Sequence, residues 1–87
     1  MKKAIFLDRD GVINKDLGYV SKIEDFIFLE GVIDALKIFK RLGYLIIIIT
    51  NQSGIARGYF SSTAYQKLTK KYLKILYDKG IEISACY

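Results

Sequence analysis

The amino-acid sequence predicts an α/β domain on a parallel sheet, and three features predict it. An apolar run, Ala4 to Leu7, stops abruptly at Asp8-Arg9-Asp10-Gly11, as a buried strand bounded by polar turn residues does. A second run, Leu45 to Ile49, holds four consecutive isoleucines and is apolar on both faces. That is the pattern of a central parallel strand covered by helices above and below. Segments with helical spacing lie between and after these runs. The order is strand, flap, helix, strand, helix, strand, which right-handed crossovers turn into a parallel sheet of the doubly wound type.

The elements follow in order. Ala4 to Leu7 is the first strand. Residues 12 to 29 mix polar and aromatic side chains, with Gly18 and Ser21 as breakers, and the Phe26, Phe28 and Leu29 cluster suggests a short hairpin or flap that packs on something. Gly31 to Leu42 reads as a helix, with Val32, Leu36 and Phe39 at helical spacing and Gly43 as its stop. Tyr44 to Thr50 is the second strand. In the loop from Asn51 to Phe60, Gly54 and Gly58 mark turns. Ser61, Ser62 or Thr63 can cap the next helix, and Thr63 with Gln66 fits a capping box. That helix runs to about Asp78 with Ala64, Leu68, Tyr72, Ile75 and Leu76 inward, Gly80 closes it, and Ile81 to Tyr87 reads as a third strand.

The chain has 87 residues, enough for one small domain. At 52% hydrophobic and 26% charged residues it carries enough apolar surface to fold, so disorder is not expected. The net charge of +5 fits either a solvated basic surface or attraction toward anions such as phosphate esters. No aromatic and basic face or nucleic-acid-binding motif accompanies it, so nucleic acid is not expected as a partner. The apolar run near the N-terminus is too short for a signal core. Leu45 to Ile49 is too short to cross a bilayer, so a cytoplasmic location is expected and no membrane partner. The single cysteine, Cys86, permits no internal disulfide. Histidine is absent, which removes Ser-His-Asp hydrolysis and His-ligated zinc from this chain, and no P-loop motif is present.

Two strand ends carry the chemistry. In parallel sheets ligands bind beyond the carboxyl ends of the strands. Asp8-Arg9-Asp10-Gly11 follows the first strand and Thr50-Asn51-Gln52-Ser53-Gly54 the second. Asp8 and Asp10 are two residues apart, so in extended chain their carboxylates point the same way. Such a pair repels unless a cation or shared proton intervenes, and Mg2+ suits it while also neutralising a bound phosphate. One carboxylate can then attack phosphorus while the other moves a proton. Thr50 and Asn51 offer donors to phosphate oxygens. The Asp-x-Asp-Gly tetrapeptide alone also describes a turn with capping carboxylates, and Thr50 and Asn51 alone describe a strand end and a turn. Their coincidence at the ends of two adjacent strands points to a site. A calcium loop fails on spacing, because Gly11 stands fourth rather than sixth and Tyr19 occupies the twelfth position.

These residues also carry a resemblance. Phe6-Leu7-Asp8-Arg9-Asp10-Gly11-Val12-Ile13-Asn14 resembles the first motif of the haloacid dehalogenase (HAD) superfamily. The stretch Ile49-Thr50-Asn51-Gln52-Ser53-Gly54-Ile55-Ala56-Arg57-Gly58-Tyr59-Phe60 resembles an extended second motif. With Gly18-Tyr19-Val20 and Glu30-Gly31-Val32, the whole chain resembles the D-glycero-D-manno-heptose 1,7-bisphosphate 7-phosphatase family, and histidinol-phosphate phosphatase is a near relative.

The resemblance implies a partial Rossmann-like, three-layer HAD fold, with residues 1 to 87 as its N-terminal half, a flap at about 12 to 29 and the C-terminal half missing. It implies Asp8 as nucleophile and Mg2+ ligand through its carboxylate, and Asp10 as general acid/base and Mg2+ ligand through its backbone carbonyl. It also implies substrate contacts at Asp16, Leu17, Gly18 and Tyr19 in the flap and at Thr50, Asn51, Gln52 and Ser53. Arg57 is either a further phosphate contact or a surface arginine. The substrate implied is a sugar bisphosphate, cleaved through an aspartyl phosphate, in lipopolysaccharide precursor biosynthesis. The family also binds structural zinc, whose ligands, like a phosphoryl-balancing lysine and a further Mg2+ aspartate, are absent from this chain. A truncated, non-catalytic chain that keeps a phosphate-binding loop is therefore an alternative. With no later strands beside it, the first strand is expected to be an open edge that promotes self-association.

Overall fold

A computed structural model of the chain describes residues 3–18, 20–50, 58 and 61–87. Three strands, β1 (Lys3–Asp8), β2 (Tyr44–Ile49) and β3 (Ala85–Cys86), form a parallel sheet in the order β1-β2-β3. Helix α1 (Val32–Arg41) joins β1 to β2, and helix α2 (Ser62–Asp78) joins β2 to β3. The predicted fold class, a small parallel α/β sheet with helical crossovers, is the one observed.

The register shows which face the helices cover. Leu7, Ile48 and Cys86 stand in one cross-strand row. Leu7 shares a cleft with Val32, Leu36 and Phe39 of α1, and Cys86 meets Tyr72 of α2. Both helices therefore lie on one face, as two right-handed crossovers stepping in the same direction require. The core sits there: Leu36 of α1, Ile46 and Ile48 of β2, and Leu68, Tyr72 and Leu76 of α2 are buried together.

The next row, Phe6, Ile47 and Ala85, points the other way. Phe6 is 61% exposed and Ile49 42% exposed, whereas Ile46 and Ile48 are fully buried. The expectation that β2 is covered by helices on both sides thus fails among the described residues. Four isoleucines reveal a strand apolar on both faces, but the sense of the crossovers places both helices on the same one.

Three local features refine the expectations. Where a short hairpin or flap is expected over residues 12 to 29, Asn14 and Phe28 pair in a single antiparallel bridge. The segment closes at its base through Lys15 N–H to Ile27 O (2.8 Å) and Leu29 N–H to Ile13 O (2.9 Å), turns through a 3-10 segment at Ile23–Asp25, and buries Ile13, Val20 and Phe26. The third strand is shorter than 81 to 87, because Ile81 is taken into the end of α2, where its N–H bonds the Leu76 carbonyl at 2.9 Å. The cap of α2 is Ser61, whose hydroxyl accepts from Ala64 N–H at 3.0 Å, rather than the Thr63 capping box.

Candidate active site

Parallel pairing sets Asp8 beside Ile49, so the residue after each strand reaches the same rim of the sheet. A cavity of about 340 Å³ at that rim is lined by Asp8, Arg9, Asp10, Ile49 and Thr50. The two carboxylates and the threonine that the sequence places at separate strand ends thus share one wall. Thr50 is anchored from behind, its backbone N–H donating to the Tyr87 carbonyl at 2.9 Å.

The chain from Arg9 to Asn14 is a tight turn. The carbonyl of Arg9 accepts from Ile13 N–H at 2.8 Å and from Asn14 N–H at 3.2 Å, and Gly11 N–H donates to Asn14 O at 2.7 Å. Gly11 meets this turn with φ +84°, a left-handed conformation that suits a residue without a Cβ. Arg9 turns inward and is fully buried, while Asp10 keeps its side chain 23% exposed at the cavity. The Arg9 guanidinium donates through Nε and Nη2 to Asp10 Oδ1 (3.1 and 3.0 Å) and through Nη2 to Asp10 Oδ2 (3.1 Å) and the Val20 carbonyl (3.2 Å). Its Cζ lies 5.8 Å from the centre of the Phe26 ring. Asn14 Nδ2 adds a bond to Asp10 Oδ1 at 2.9 Å.

Arg9 and Asn14 are the site residues to which the sequence alone assigned no role. The signal for Arg9 lay in alternation: a residue between two outward carboxylates must point inward, and a charge sent inward must find a partner.

The other expected residues divide. Asp16, Leu17 and Gly18 are exposed and do not line the cavity. Asp16 Oδ1 accepts from Gly18 N–H at 3.1 Å, which shapes that loop. Tyr19, Asn51, Gln52, Ser53 and Arg57 lie outside the described residues.

The donor set fits Mg2+ in part. Two carboxylates beside a space for phosphate suit a cation that takes few protein ligands and completes its shell with water and phosphate oxygens. Among the described residues no group of three or more His, Cys, Asp or Glu side chains is placed to hold a metal unaided. Nothing there fits zinc: Cys86 is half-buried in β3, in a hydrogen bond with the Tyr72 hydroxyl at 3.3 Å.

Comparison with known proteins identifies the family. The sequence profile of the polynucleotide kinase 3 phosphatase family matches residues 3–87. The chain belongs to that family. The chain is 52% identical over 87 residues to the D-glycero-beta-D-manno-heptose-1,7-bisphosphate 7-phosphatase of Pasteurella multocida (strain Pm70), covering 100% of this chain and 47% of that protein. It is 57% identical over 81 residues to the D-glycero-alpha-D-manno-heptose-1,7-bisphosphate 7-phosphatase of Photorhabdus laumondii, covering 93% of this chain and 44% of the relative.

The crystal structure of D,D-heptose 1,7-bisphosphate phosphatase from B. bronchiseptica, complexed with magnesium and phosphate, superimposes with a TM-score of 0.90. Its identity is 32%, with 98% of this chain and 48% of that one covered. The HAD-type phosphatase fold implied by the resemblance is borne out. The chain spans about half the length of the relatives that it matches. Among its described residues no helix is long and apolar enough to cross a membrane.

Proposed function

We propose that this family member takes part in hydrolysis of a phosphate monoester on a sugar bisphosphate, of the heptose 1,7-bisphosphate 7-phosphatase type. The observation that carries the reading is the meeting of Asp8, Asp10 and Thr50 on one cavity wall at the carboxyl ends of β1 and β2. In this reading Asp8 attacks phosphorus. The bond from phosphorus to the sugar oxygen breaks, and that oxygen takes a proton from Asp10. Water then attacks the aspartyl phosphate, giving its proton to Asp10 and releasing phosphate and the Asp8 carboxylate. Thr50 and Asn51 hold phosphate oxygens, with Gln52, Ser53 and Arg57 beyond them and Asp16, Leu17, Gly18 and Tyr19 of the flap toward the sugar. Asp8 and Asp10 would hold Mg2+, which supplies positive charge against the phosphate oxygens when bound.

The names of the relatives favour a heptose bisphosphate over histidinol phosphate as substrate. The reading places the reaction in the cytoplasm, with a phosphorylated sugar rather than nucleic acid or membrane as partner, and with a second copy of the chain at the open sheet edge.

The test is phosphate release from both anomers of D-glycero-D-manno-heptose 1,7-bisphosphate by the 87-residue chain. Hydrolysis should require Mg2+, stop on chelation and fall by about 10³-fold or more in Asp8→Asn. Hydrolysis that survives Asp8→Asn removes the proposed nucleophile. Phosphate binding without hydrolysis favours the non-catalytic reading.

A further inference from the structure

The guanidinium of Arg9 is fully buried. A buried charge is costly unless it is well bonded, and replacing a buried ion pair with apolar side chains is often neutral or stabilising. Packing alone therefore gives little reason for an arginine here, and what it touches gives a better one. On one side the guanidinium makes three bonds to Asp10, at 3.0 to 3.1 Å. On the other, Nη2 bonds the carbonyl of Val20, and the guanidinium lies over Phe26. Val20 directly follows residues 16 to 19, the loop expected to meet the sugar, and Val20 and Phe26 both anchor the flap in the core. One rigid planar fork thus touches both the proposed acid/base and the seat of the proposed substrate loop.

We propose that Arg9 is a positioning residue that ties the orientation of the Asp10 carboxylate to the seat of the flap at Val20. The proposal rests on the reading of Asp10 as acid/base. Of the four bonds that Arg9 and Asn14 make to this carboxylate, three converge on Oδ1. Oδ1 accepts three of these bonds and Oδ2 the fourth, and the less heavily bonded Oδ2 is the oxygen that carries the proton to the leaving sugar oxygen. A shift of the Val20 carbonyl turns the fork and with it the carboxylate, so seating of a substrate against the flap sets the aim of the acid.

Hydrogen exchange measured by NMR on the 87-residue chain tests the coupling without reference to activity. The probes are the Arg9 Nε–H and the flap-base amides of Lys15 and Leu29. Asp10→Ala should speed exchange at all three by about tenfold or more, the scale of one charge-assisted hydrogen bond. Arg9→Lys, which keeps the charge but loses the fork, should loosen the two amides similarly, and Asp10→Ala should add little to it. Asp8→Ala, in the same cavity but outside the bonds just described, should leave the flap amides unchanged.

The role is read from leaving-group dependence. Arg9→Lys should slow an alkyl phosphate, which needs the acid, much more than p-nitrophenyl phosphate, which does not. Equal losses on the two substrates, or flap amides indifferent to Asp10→Ala, overturn the proposal. A chain without hydrolysis counts against the functional reading instead, and exchange alone then decides the coupling. Should Arg9→Lys fail to fold, exchange in Asp10→Ala, a change at a partly exposed position, still decides between coupling and its absence.

Discussion

At Tyr72 a fully buried ring stacks on Phe26, with centroids 4.7 Å apart and planes 4° from parallel, while its hydroxyl meets the Cys86 sulfur at 3.3 Å. Burial, then the hydrogen bond to Cys86 and that residue's charge, push the Tyr72 hydroxyl well above its ordinary range. A raised acid contributes stability that is fully present below the unfolded tyrosine value of about 10 and is lost as pH climbs beyond it. Thermal melts should therefore show stability falling above about pH 10, and Tyr72→Phe should flatten that fall. Melts of the two proteins that decline in parallel would place the alkaline loss elsewhere. The burial of Tyr72 was legible in the sequence from its spacing with Leu68 and Leu76. Its bond to Cys86 was not, since a partner on a strand depends on how β3 lies against β2 and under the helix.

Helix α2 shows the same division one level up. Its end is a two-bond cap: Gly80 N–H to Tyr77 O at 2.9 Å and Ile81 N–H to Leu76 O at 2.9 Å, with Gly80 at φ +85°. Leu76 and Ile81, both fully buried, close the apolar contact that accompanies such a cap. Gly80→Ala should cost about 1 to 2 kcal/mol, because a Cβ disfavours the left-handed conformation. Chemical denaturation measures this, and an unchanged midpoint would mean that the turn relaxes freely. The sequence announced the stop at Gly80. That Ile81 belongs to the cap rather than to β3 follows from the fit of its side chain against Leu76, which no period along the chain encodes. The choice of Ser61 over Thr63 as N-cap has the same origin, since either can cap a helix locally and packing sets where the first turn begins.

At the scale of the molecule, the sheet has a face bearing Phe6, Ile47 and Ile49 that no described helix covers, next to the edge of β1 that pairs with no other strand among the described residues. A cleft of about 370 Å³, lined by Leu7, Val12, Val32 and Phe39 among others, adjoins that strand on the other face. An unpaired strand with apolar surface on both sides favours association. Light scattering on the eluting chain should give about twice the monomer mass of 10.0 kDa, increasingly so with concentration. Phe6→Asp should weaken the dimer about tenfold or more without loss of helical signal, as for a central apolar anchor, whereas Tyr77→Asp on α2 should not. A monomer at every concentration, or a dimer indifferent to Phe6→Asp, would argue against this edge.

The sequence by itself determined the alternation of strand and helix, the apolar positions of the core, and the meeting of Asp8 with Thr50 at one rim. These follow from periods of two and of about 3.6 and from the rule that parallel strands share a carboxyl end. Tertiary structure alone decided which face of β2 the helices cover, how short β3 is, and where the inward Arg9 finds its partners. A pattern along the chain states which residues share a side. Which element occupies that side depends on contacts between segments far apart in sequence.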